Sequence, residues 1–280
     1  MGLERAFPAA SGTAQPFDHV AWEQKKADGY NKEPGKLHEK DGYNCPTCKN
    51  KGDVMVVEVL DNWPRPRIIP CKCMPVRASI ARMEQSGLGK VIREKTFEKY
   101  QTHGEAWRET IKAGAMEYAA NPSGWLVLCG QPGCGKTHLG TAACRELLLR
   151  GQAVTYMVWP GQAAIIKGCS KNEPERREKL VRTLKAAPVL YIDDLFKPAR
   201  TSGAKQPPTE ADVKLAFEIL NHRYNDPRLL TIISSEWFSG ELLEIDPATG
   251  SRIIEMAGLN LYDIAEDESR NYRLRKAVTV

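Results

Sequence analysis

Residues Gly130-Gln131-Pro132-Gly133-Cys134-Gly135-Lys136-Thr137 decide the fold. The run before them, Trp125 to Cys129, is short and apolar, as a buried parallel strand requires. After them, Lys136 to Arg150 carries Leu139, Ala142, Ala143 and Leu147 at helical spacing until Gly151 stops it. A glycine-rich turn between a strand and a helix lets the backbone curl, so that successive N–H groups and the helix N-terminus converge on one anion. With His138 just beyond, the stretch predicts a nucleotide-phosphate site in which Lys136 reaches the β and γ oxygens. Thr137 offers a hydroxyl to Mg²⁺, a hard ion that prefers oxygen ligands. The expected ligands are therefore a nucleoside triphosphate and Mg²⁺.

Hydrolysis needs a second, acidic strand end. Pro188-Val189-Leu190-Tyr191-Ile192, followed by Asp193-Asp194, supplies it. Asp193 is expected to hold the Mg²⁺ shell, and Asp194 to orient and partly deprotonate the attacking water. Ala153 to Val158 and Leu230 to Ser234 read as further strands. Strands alternating with helical stretches predict an α/β fold, a parallel sheet flanked by helices with its ligand at the carboxyl ends of the strands. Ser234, Ser235 and Glu236 close the last strand. A polar residue there can sense the γ-phosphate and hold the water, a role open to Ser235 or Glu236; an ordinary polar strand end is the other reading.

At 280 residues the chain exceeds what one such domain needs, and two domains are the natural expectation. Residues 1–40 show no sustained periodicity and predict a flexible N-terminal segment. Cys45-Pro46-Thr47-Cys48 and Cys71-Lys72-Cys73 then bracket two strand-like runs joined through Asp61-Asn62-Trp63-Pro64. Such a hairpin brings the four thiolates of Cys45, Cys48, Cys71 and Cys73 to one point, and predicts a closed, structural Zn²⁺ site. A reducing compartment disfavours disulfides, and the ribbon-like hairpin disfavours an iron–sulfur cluster. A basic amphipathic helix over 75–86, stopped by Gly87, completes a ribbon-and-helix domain at 41–90 and leaves 91–280 for the ATPase. Cys129, Cys134, Cys144 and Cys169 lack ligand spacing and read as ordinary reduced thiols.

The formal net charge of +5 is too small by itself to imply nucleic acid. Locally, Lys167, Lys171, Arg176, Arg177, Lys179, Arg182 and Lys185 are offset by Glu173, Glu175 and Glu178. That cluster reads as a surface tracking a phosphate backbone or as a solvated face laced with ion pairs. The N-terminus lacks an apolar core for a signal peptide and no stretch approaches the ~18 apolar residues of a membrane span, so a cytoplasmic protein is expected.

Over about 95–280 the chain resembles the DnaC/DnaI family of replicative helicase loaders, AAA+ P-loop ATPases of bacteria and phages. The resemblance rests on Thr96-Phe97-Glu98-Lys99-Tyr100, Gly133 to His138, Tyr191 to Leu195, Thr231 to Glu236, Ser251-Arg252-Ile253 and Asn271-Tyr272-Arg273. The ribbon followed by a basic helix is similar to the DnaI-like and phage branch. The resemblance implies that Arg252 points at the γ-phosphate of a neighbouring copy and that Arg273 acts as a second sensor in its own subunit. It also implies self-association through the ATPase domain, a DnaB-type helicase hexamer bound through the N-terminal domain, and delivery of that helicase onto single-stranded DNA. Two departures stand out: Glu236 replaces the family's usual sensor Asn, and Asp194 stands where some members have Glu. The alternatives are an IstB-type transposition helper, whose members generally lack a four-cysteine ribbon, and a regulatory adaptor that binds nucleotide without turnover.

Overall fold

The computed structural model describes residues 17–272 apart from 62, 86, 87, 202 and 203. The chain divides into two compact units, 1–74 and 75–280.

In the first unit, helix α1 (His19–Lys32) and a short α2 (Leu37–Asp41) precede an antiparallel hairpin of β1 (Asp53–Leu60) and β2 (Trp63–Pro70). Residues 19–32 were expected to lack regular structure, because they show no apolar stripe. Polar contacts hold the helix instead. The Asp18 carboxylate caps it by accepting the Ala21 N–H at 2.9 Å. The Asn31 side-chain amide pairs with the Met55 peptide in both directions, at 2.8 and 2.9 Å, and the Tyr30 hydroxyl donates to Asp53 at 2.6 Å. Those bonds use the free edge of β1, groups that would otherwise face solvent.

The second unit begins with α3 (Met74–Gln85), α4 (Leu88–Glu94) and α5 (Ala106–Ala120). The expected stop of α3 at Ser86 and Gly87 lies outside the described residues. Then follow β3 (Trp125–Gly130), α6 (Lys136–Leu149), β4 (Val154–Val158), α7 (Trp159–Asn172), α8 (Pro174–Ala186), β5 (Val189–Leu195) and a two-residue hairpin of β6 (Arg200–Thr201) and β7 (Ala204–Lys205). The chain continues through α9 (Glu210–Tyr224), β8 (Leu230–Ser235), α10 (Ser239–Ile245), α11 (Pro247–Ala257) and β9 (Leu261–Ile264). The strands β4-β5-β8-β3-β9 form one parallel sheet in that order.

Each expected strand is present, and β9 is a fifth that the sequence reading did not anticipate. Both β3 and β8 are buried at every residue, as central strands covered on two faces must be. Leu215, Ala216, Ile219 and Leu220 of α9 and Ile253 of α11 pack with Trp125, Val127, Ile192 and Ile233 in the main core. Within that core Arg223 is fully buried. Its guanidinium donates to the carbonyls of Leu184, Ala187 and Leu230 and to the Thr231 hydroxyl, at 2.6–3.0 Å, so it ties the end of α8 to the start of β8. Burial lowers its pKa to about 10, which leaves it charged at neutral pH.

Candidate functional site

Gly130 to Lys136 connects the end of β3 to α6. Gly133 and Gly135 adopt φ of 81° and 103°, backbone that favours glycine. A Cβ at Gly133 would lie 2.1 Å from the Asn271 amide oxygen, and one at Gly135 would lie 2.7 Å from the Tyr100 ring, so neither position has room for a side chain. Gly135 caps α6 without a side-chain hydrogen bond. The N–H groups of the first turn therefore remain available to an anion, which the helix dipole also favours. Lys136 is buried, and its ammonium donates to the carbonyls of Gly130 (2.6 Å) and Gln131 (2.8 Å). The Gln131 side chain is committed elsewhere, pairing with the Asp267 peptide in both directions at 2.7 Å. His138 bonds the Thr96 carbonyl at 2.8 Å through Nε2, which must carry the proton because a carbonyl only accepts. Burial lowers the pKa of this imidazole.

The acidic strand end meets this loop. Thr137 Oγ1 donates to Asp193 Oδ1 at 3.0 Å, joining the two oxygens expected to hold Mg²⁺. Tyr191 and Ser234 donate to the same carboxylate oxygen, and Tyr156 donates to the other at 2.8 Å. Four hydroxyls thus orient one buried carboxylate. Burial, reinforced by that carboxylate, pushes both tyrosine pKa values well up, so the phenols stay protonated donors. Asp194 turns out of the ladder. Its φ is 59°, and the pairing of β5 with β8 shifts register between Ile192 and Leu195. The Asp194 N–H is held by Ser234 Oγ at 3.0 Å, and its carboxylate pairs with Lys197 at 2.7 Å. Lys197 also reaches the buried Glu236, at 3.1 Å. Burial alone would lower the pKa of this ammonium; hydrogen bonds to Asp194 and Glu236 outweigh burial and raise it.

A cavity of about 370 Å³ brings these groups together. Its lining includes Lys136, Thr137, His138, Asp194, Lys197 and Glu236. Hard oxygens, a buried ammonium and unused helix N–H groups around one space suit a triphosphate with Mg²⁺.

Known proteins are similar to this chain in sequence and in fold. The sequence profile of the ATPase family associated with various cellular activities (AAA) matches residues 126–254. The phage-like element PBSX protein XkdC of Bacillus subtilis (strain 168) is 31% identical over 226 residues, which cover 76% of this chain and 79% of that protein. The chain belongs to the AAA ATPase family. Within it, this AAA ATPase is homologous to the replicative helicase loader DnaC of Escherichia coli (strain K12), with 29% identity over 114 residues, 40% of this chain and 46% of that protein. The fold resembles a crystal structure of the DnaC helicase loader, with a TM-score of 0.50 and 18% identity over 64% of this chain and 99% of that one.

Other expected residues of the AAA unit lie apart from the cavity or serve the fold. Arg252 lies on α11, where its guanidinium stacks 5.3 Å from the rings of Phe217 and Tyr224 and donates to Ala248 O at 2.6 Å. Arg273 lies outside the described residues. Ser235 donates to the Leu195 carbonyl at 2.8 Å and accepts the Trp237 N–H, which links β8 to the end of β5. Missed by the sequence reading were Tyr156, Tyr191 and Ser234 around Asp193, and Lys197. Tyr191 was legible in principle, since alternation along a strand puts a residue two before Asp193 on the same face.

The basic cluster between β4 and β5 is largely neutralised. Lys167 pairs with Asp212 at 2.5 Å, and Arg177 and Lys185 pair with Glu218 at 2.5 and 3.0 Å. Arg176 and Arg182 pair with Glu173 and Glu178. The reading as an ion-paired face is the one these contacts support, because α9 supplies two carboxylates that are remote in sequence.

In the first unit, Cys45, Cys48, Cys71 and Cys73 are all buried, with their sulfurs within 4.8 Å of one another. Cys45 and Cys71 Sγ are 3.8 Å apart, and Cys48 and Cys73 Sγ are 3.6 Å apart. A tetrahedral Zn²⁺ with Zn–S of about 2.3 Å has S···S edges of about 3.8 Å, so the set fits that ion. The Gly52 N–H donates to Cys48 Sγ at 3.4 Å, a contact that orients this sulfur. At Cys45, hydrogen bonds from Cys48 and Thr47 outweigh burial and lower the pKa to about 7. Among the described residues no helix is long and apolar enough to cross a membrane.

Proposed function

We propose that this AAA ATPase is a loader that binds a DnaB-type hexameric replicative helicase and places it on single-stranded DNA under ATP control. The observation that carries the reading is the Thr137–Asp193 contact at the mouth of the phosphate loop, in a chain homologous to DnaC. Lys136 and the first-turn N–H groups of α6 bind the phosphates, while Thr137 and Asp193 hold Mg²⁺, which supplies charge neutralisation when bound. Asp194 orients a water and accepts its proton as the oxygen attacks the γ-phosphorus; the bond to the β-γ bridging oxygen breaks, giving ADP and phosphate. Arg252, which lies outside the cavity of its own chain, stabilises the transferred charge in a neighbouring copy, and Arg273 acts in cis.

Zn²⁺ held by Cys45, Cys48, Cys71 and Cys73 organises the ribbon, and the ribbon domain within 41–90 grips the helicase. The ATPase domain at 91–280 self-associates. Nucleotide state then shifts a conformational equilibrium of the complex. Hydrolysis measured on the full chain with and without single-stranded DNA and helicase tests this reading. Turnover that responds to either supports it; nucleotide binding with no turnover under any condition favours an adaptor.

A further inference from the structure

Glu236 ends the strand between the two phosphate-site strands, where a γ-phosphate would be sensed, yet a carboxylate there repels an anion. The side chain it holds has the opposite charge. Lys197 donates to Asp194 Oδ2 at 2.7 Å and to Glu236 Oε1 at 3.1 Å. An ammonium has three N–H donors, so one is left for a ligand. Lys197 lines the same cavity as Lys136 and Thr137, and its side chain is 44% exposed whereas that of Glu236 is 6% exposed. The buried acid thus fixes the partly open cation.

The surrounding backbone is built to keep that arrangement. Asp194 and Phe196 have φ of 59° and 54°, conformations that non-glycine residues adopt at a cost. The Lys197 N–H donates to the Asp194 carbonyl at 3.0 Å, closing a tight turn. Trp237 Nε1 donates to Phe196 O at 2.6 Å, and Ser235 Oγ donates to Leu195 O at 2.8 Å. These bonds anchor the turn after β5 to the end of β8, and so hold Lys197 beside Glu236.

We propose that Lys197, presented by Asp194 and Glu236, is the group that reads the terminal phosphate and separates ATP from ADP. The inference rests on the ATPase reading of the cavity. A charge-assisted hydrogen bond made only by the third phosphate strengthens triphosphate binding and leaves diphosphate binding nearly untouched.

The test is calorimetric titration of the full-length chain, with Mg²⁺, against ADP and against β,γ-imido-ATP, which resists hydrolysis. Lys197→Met is expected to weaken the ATP analogue about tenfold or more while ADP stays within about threefold, and Lys197→Arg to keep most of the preference. Lys197→Met also strips a cation from buried Glu236, so Lys197→Met with Glu236→Gln removes charge evenly and serves where the single variant does not fold. Equal weakening of both nucleotides, or no change in either, overturns the proposal. Wild-type chain that binds neither nucleotide, or that is indifferent to Lys136→Ala, would instead overturn the ATPase reading itself.

Discussion

At the residue scale, Lys136 and Asp194 line one cavity but meet different stages of the reaction. Lys136 faces charge already present when the nucleotide is bound, whereas Asp194 matters as water is activated. Lys136→Ala is therefore expected to cost about tenfold or more in affinity for ADP and the ATP analogue, read by titration. Asp194→Asn is expected to bind ADP within about threefold of wild type and to lower kcat about a hundredfold, read by phosphate release. A wild-type rate for Asp194→Asn would move the water-positioning role to Glu236. The arrangement around Asp193 explains why these roles separate. Tyr156, Tyr191, Ser234 and Thr137 all donate to Asp193, which fixes that carboxylate in the fold, while Asp194 is swung out of the ladder by its left-handed backbone.

At the scale of elements, the sheet depends on a buried cation. Arg223 joins the end of α8 to the first residues of β8 through five acceptors. Arg223→Met fills similar volume but leaves those buried carbonyls without a donor, and is expected to lower stability by about 3 kcal/mol or more, read by urea denaturation of the full chain. The sequence could not reveal that staple, because all of its partners but the Thr231 hydroxyl are backbone atoms. Strands β3, β4, β5 and β8 were legible as apolar runs set between helices, and the phosphate loop was legible from its glycines. Strand β9 was not, since Leu261–Ile264 is four residues long and becomes a strand only by pairing with Val127 to Gly130. Helix α1 escaped for a related reason: Asn31 and Tyr30 bind it to the ribbon edge through polar groups, which leave no apolar period to read. Lys197 escaped because its partners are Asp194, within the distorted end of β5, and Glu236, just past β8, a juxtaposition made by topology.

At the scale of the whole molecule, partner contact is proposed for the cysteine-bearing domain and nucleotide control for the AAA unit. A domain as small as the first needs a staple, and metal binding supplies folding energy. Cys45→Ser in the full chain is expected to lose Zn²⁺ on elemental analysis while nucleotide affinity stays within about threefold of wild type, since binding to a separate unit is unaffected. Arg252 tests assembly. Arg252→Ala and Lys136→Ala are each expected to be nearly inactive alone, and mixing them should restore some hydrolysis, because an intact loop can then meet an intact arginine across an interface. No recovery, with co-assembly verified, would remove Arg252 from that role. The central claim is that this chain engages a hexameric replicative helicase under ATP control, and the most direct measurement is sedimentation of the full-length chain with the DnaB-type helicase of its host in ATP and Mg²⁺. The account predicts a complex larger than the hexamer that forms with wild type and is lost with Cys45→Ser; a helicase that sediments alone in the presence of saturating wild-type chain would contradict it.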